Sequence, residues 1–76
     1  MNNVEKIEKA IPNINWSFAS NIGYIYDFLN QNFILVYKDK EEIYYRNGSD
    51  RKPSKKIDIS SAIKLIKKDI KFRNFT

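Results

Sequence analysis

The chain contains no cysteine and no histidine, and its 76 residues include only two glycines, two prolines and one methionine. Without cysteine there are no disulfides and no thiolate ligands, so nothing covalent reinforces a small core. Without histidine the usual general base near neutral pH is missing. Two glycines, Gly23 and Gly48, leave no room for a Gly-rich phosphate loop or a dinucleotide fingerprint. Long apolar runs are absent too. The longest is FILVY, residues 33–37, against the roughly 20 residues a membrane-spanning helix needs. The opening MNNVEKIEKA holds two glutamates and no apolar run, which does not read as a secretory signal. The expected location is cytoplasmic, with no membrane contact.

What remains for catalysis is thin. Ser54-Lys55 and Ser60 with Lys64 are the serine–lysine pairs, and a turn residue and a helix cap explain both serines. Asp39, Glu41 and Glu42 form one acidic cluster, but at a hairpin tip facing water such carboxylates do not converge on a substrate. No Ca²⁺-loop spacing is present. The chain is expected to be neither an enzyme nor the holder of a metal or cofactor.

The composition does support a fold. Hydrophobic residues make up 42% and aromatics 14%, enough for a modest core and one small domain over residues 1–76. The charge is lopsided. Residues 1–45 carry four Lys against six acidic groups, whereas residues 46–76 carry ten Lys and Arg against three Asp. Such asymmetry points towards nucleic acid or another anionic partner. Ile, Lys and Asn supply 32 of the 76 residues, a bias of AT-rich coding sequence. That bias explains the number of lysines better than their clustering.

Val4, Ile7 and Ile11 recur at helical spacing beside Ala10, predicting an N-terminal helix capped by Asn2 with Glu5 three residues on, and ended by Pro12. Residues 13–30 fit period two (Trp16 with Phe18; Ile22, Tyr24, Tyr26 and Phe28) and also period 3.6 (Ile22, Ile25, Tyr26, Leu29). Their aromatic and β-branched content, with Gly23 in the interior, favours strand over helix for residues 20–31. FILVYK (33–38) and EEIYYR (41–46) predict a hairpin around Asp39-Lys40. Its register pairs Val36 with Ile43, Leu35 with Tyr44 and Ile34 with Tyr45. The unbroken FILVY run suggests a central strand covered on both faces, or largely so. NGSDRKPSKK (47–56) is a basic loop. A closing helix follows, capped by Asp58 or Ser60, with Ile59, Ala62, Ile63, Ile66 and Ile70 in one stripe and Leu65 at its edge.

The expected fold is therefore α+β: an N-terminal helix, a three- or four-stranded antiparallel sheet and a C-terminal helix, both helices on one sheet face. This order, with Ser54-Lys55-Lys56 ahead of the last helix, resembles double-stranded-RNA-binding domains over about ten residues. The Gly-rich strand signals of that family are missing here.

Opposite the isoleucine stripe, Lys64, Lys67, Lys68 and Lys71 fall within an arc of about 100°, with Arg73 at the helix end. Arg51, Lys52, Lys55 and Lys56 in the preceding loop could extend one positive surface. Only Asp69 is acidic in the last 18 residues, so these lysines have almost no intrahelical partners. A phosphate backbone fits such a surface; a solvated helix face is the plainer explanation. Tyr24, Tyr26 and Tyr44 are candidate aromatic anchors on an open sheet face, for bases or for a protein. Two functions are expected from these features. The first is a non-enzymatic module binding nucleic acid or a nucleoprotein. The alternative is a stoichiometric protein-binding inhibitor or adaptor of the anti-defence kind that phages and mobile elements encode, covering an acidic protein surface.

Overall fold

The capping pair at the N-terminus starts the first helix as expected. The Asn2 side chain accepts from the Glu5 amide at 2.8 Å and the Glu5 carboxylate accepts from the Asn2 amide at 3.4 Å, which satisfies two of the amides left open at a helix start. In the computed structural model, which describes residues 2–48 and 54–74, this helix is α1 (Asn3–Ala10). It is followed by β1 (Ser17–Ala19), β2 (Gly23–Asp27), β3 (Phe33–Tyr37), β4 (Ile43–Arg46), β5 (Lys55–Ile57) and α2 (Ile59–Arg73).

The strands form one antiparallel meander in the order β1-β2-β3-β4-β5. Five strands stand where three or four were expected. The additional ones, β1 and β5, are three residues each and lie at the two edges. Within residues 20–31 the regular part is strand and not helix, Gly23–Asp27 with turns on either side: β2 pairs with β3 through Tyr24–Val36, Ile25–Leu35 and Tyr26–Ile34. Ile22 is not part of its face but sits exposed in the β1–β2 turn. The β3–β4 register is the expected one, Val36–Ile43, Leu35–Tyr44 and Ile34–Tyr45.

Cross-strand partners share a face, so Tyr24, Tyr26, Ile34, Val36, Ile43 and Tyr45 point to one side and Ile25, Phe33, Leu35, Tyr37 and Tyr44 to the other. Only the first side gains a layer. Val4, Ile7 and Ile11 from the α1 segment and Ala62 and Ile66 from α2 join Tyr26, Ile34, Val36 and Ile43 in one buried cluster. Ile7, Ile34, Val36 and Ile66 are completely buried, each contributing about 1.5–3 kcal/mol by leaving water. The helices run the same way. Asn3 and Ile59, near their starts, line one shallow depression, whereas Ile11 and Ile70, near their ends, line another.

The run FILVY is central, and among the described residues it is covered on one face only. No described element lies over Phe33, Leu35 and Tyr37, which are half-buried. Tyr37 meets Tyr44 edge to face at 5.8 Å, and the Arg46 guanidinium lies 5.8 Å from the Phe33 ring. No described helix is long and apolar enough to cross a membrane.

Candidate functional site

The start of α2 is fixed by Asp58, whose side chain accepts from the Ser61 amide at 2.8 Å. Asp58 is the cap rather than Ser60, and the Ser61 hydroxyl, then the Ser61 amide, hold its carboxyl below the usual carboxylate range. From this start Ala62 and Ile66 turn to the core, while Ile59, Ile63 and Ile70 pack at its margin. The same rotation places Lys64, Lys67, Lys68 and Lys71 outward, and all four are exposed.

The helix's one interior carboxylate is engaged elsewhere. Asp69 accepts from the Tyr26 hydroxyl at 2.7 Å, the Leu29 amide at 3.1 Å and the Arg73 Nε at 2.8 Å. Burial alone would raise the Asp69 carboxyl, but these donors outweigh it and hold it below the ordinary range. Burial, and then the bond to Asp69, push the Tyr26 hydroxyl far up, so it stays a donor through the neutral range. Among the described residues, no carboxylate lies within salt-bridge distance of Lys64, Lys67, Lys68 or Lys71.

The structure separates the other expected contact residues. Arg73 bends back to Asp69, and its second guanidinium nitrogen donates to the Asp27 carbonyl at 2.8 Å. It fastens the end of α2 to the end of β2 instead of extending the lysine face. Lys55 pairs with Tyr45 and Lys56 with Tyr44, so neighbouring lysines of β5 point to opposite sides of the sheet. Arg51 and Lys52 lie outside the described residues. Of the three tyrosines, Tyr26 is buried against the helices and Tyr24 is on the same side, between Trp16 and Phe18. Tyr44 alone reaches the open face, where its hydroxyl donates to Glu42 at 3.1 Å.

One feature on this side of the molecule had no sequence signal strong enough to find it. On the flank of α2 turned away from α1 lies a groove of about 540 Å³ with Phe28 and Tyr45 at its base. Leu29, Leu65 and Phe72 stand along it, 48%, 36% and 57% exposed, and Lys68 is at its rim. Leu65 was visible as the edge of the apolar stripe. Leu29 comes from the β2–β3 loop, and it arrives here because β2 ends against the end of α2, where Leu29 and Asp27 bond to Asp69 and Arg73. Among the described residues no group of three or more metal-ligating side chains gathers. The chain matches no protein-family model, no curated protein and no solved structure.

Proposed function

We propose that this chain is a small non-enzymatic binding module that contacts nucleic acid, or a nucleoprotein, through the outer side of α2. The observation that carries this reading is the sorting of charge on one helix: Asp69 is drawn inward by three donors while Lys64, Lys67, Lys68 and Lys71 face water together. A helix kept merely wet more often alternates its signs along the face. Lys64 to Lys71 spans about 10 Å of helix axis, over which a duplex presents several phosphates. Lysines on such a face position a backbone and do not read bases, so sequence preference is small. Lys55 and the loop residues Arg51 and Lys52 are proposed to add to the field.

Fluorescence anisotropy with a labelled DNA or RNA duplex at several salt concentrations tests this. Binding is expected to weaken with salt at a log–log slope of about 3 to 4, one released counterion per engaged lysine. Replacing Lys64, Lys67, Lys68 and Lys71 by Glu should abolish binding and leave the circular dichroism spectrum unchanged. Undiminished binding by that variant rejects the reading. The second reading, a stoichiometric inhibitor or adaptor of a protein target, is favoured by the sheet face with Leu35, Tyr37 and Tyr44, over which no described element lies. One specific protein retained after nuclease treatment, and lost on Tyr44→Ala, would support it.

A further inference from the structure

We propose that the groove between α2 and the β2–β3 loop is a docking site for an acidic, amphipathic segment of a partner protein. The inference does not rest on the nucleic-acid reading: its apolar ridge lies on a different flank of α2, although the two share the lysines at the rim. Two properties of the groove carry it.

The first is its apolar content. Leu29, Leu65 and Phe72 are large side chains held substantially in water, 48%, 36% and 57% exposed, side by side over a base of Phe28 and Tyr45. A cluster of this kind on a small protein marks an interaction site more often than three scattered apolar residues would. Leu65 and Phe72 are seven residues apart on α2, two turns, so they form a ridge along the groove rather than a single knob. Apolar side chains spaced by one or two helical turns on a partner match such a ridge.

The second is the sign of its surroundings. Lys68 sits at the rim, and Lys64 and Lys71 continue the exposed lysine arc beside it. The carboxylate that also lines the groove, Asp69, is occupied by Tyr26, Leu29 and Arg73. The groove thus offers apolar contact flanked by cations, and its complement carries Leu or Phe on one side and Glu or Asp on the other. This also disfavours a second copy of the chain. A two-fold contact over the groove would set Lys68 and its neighbours against their own equivalents, and the whole chain carries +5. A concave site with its aromatics at the base suits an inserted side chain better than a flat lipid surface.

The experiment is a titration of the isotope-labelled full chain, followed by amide chemical shifts. The probe is a synthetic peptide of about 15 residues with Leu and Phe at helical spacing and Glu elsewhere. Saturable shifts are expected at Phe28, Leu29, Leu65, Lys68 and Phe72. Leu65→Ser with Phe72→Ser, both at exposed positions, should weaken the peptide about tenfold or more and leave duplex binding unchanged. Lys68→Glu should weaken the Glu peptide and strengthen the same peptide with Lys in place of Glu.

Three results would overturn the proposal. One is the absence of any groove shift. Another is equal binding of an all-Glu peptide without apolar residues. The last is stronger shifts of the groove residues by phosphatidylglycerol vesicles or by duplex than by the peptide. Because the serine variant keeps every lysine and should lose the peptide but not the duplex, failure of one reading is distinguishable from failure of the other.

Discussion

Asp69 shows what a sequence leaves out about one side chain. In sequence it is the lone acid among lysines; in the fold it ties α2 to the end of β2 and the loop that follows. Its Tyr26 bond crosses 43 residues and its Leu29 bond 40, distances at which no local pattern carries information. Tyr26→Phe removes a donor from a carboxylate whose side chain is only 9% exposed, which should cost about 1–3 kcal/mol, read as a lower urea midpoint with an unchanged slope. Asp69 also predicts a pH dependence. Its carboxyl titrates lower in the folded than in the unfolded chain. Its contribution is therefore complete above the ordinary carboxylate range and is lost as pH falls through the folded value. Urea unfolding at neutral and acid pH should show wild type losing more stability than Asp69→Asn between the two. Equal losses would mean that the carboxylate is not the coupled group.

Among the elements, α1, the β3–β4 hairpin and the inner stripe of α2 were readable because each is written within a single window. A capping box, two runs of strand formers and a 3.6-residue apolar repeat need no distant information. The edge strands were not readable. β1 has Ser17, Phe18 and Ala19, and β5 has Lys55, Lys56 and Ile57; three residues are too few to show alternation, and lysine is a residue that edge strands favour. The lysine face of α2 was legible from spacing, but its boundary with Arg73 was not. The groove needed Leu29, which the sequence leaves far from Leu65. Gly23 was taken as an argument against helix, yet its role is steric: a Cβ there would collide with the Val36 carbonyl across the β2–β3 pair. Gly23→Ala should cost about 1–3 kcal/mol through the forced shift of that pairing, measured by thermal unfolding. At the other end of the fold, Asp58→Ala should lower the melting temperature by leaving the first turn of α2 uncapped.

For the molecule as a whole, the lysine face is a cost as well as a candidate site. Like charges on one short helix destabilise the folded chain through mutual repulsion, and salt screens it. Raising ionic strength should therefore raise the melting temperature. The gain should shrink in a variant with Lys64 and Lys68 changed to Gln. A melting temperature that falls with salt would show that specific ion pairs outweigh the repulsion.

The strand order has a kinetic consequence. Every strand in β1-β2-β3-β4-β5 pairs with its neighbour in sequence, so the sheet can assemble by short loop closures. The helices that complete the core stand at the two ends of the chain, and α1 must find α2 across nearly its whole length. Local contacts form early and this last encounter late. Ile7→Val and Ile66→Val, at the helix junction, should then chiefly speed unfolding, whereas Val36→Ala in the central strand should slow folding. Stopped-flow rates for the three variants would reveal whether the two ends of the chain are indeed the last to meet.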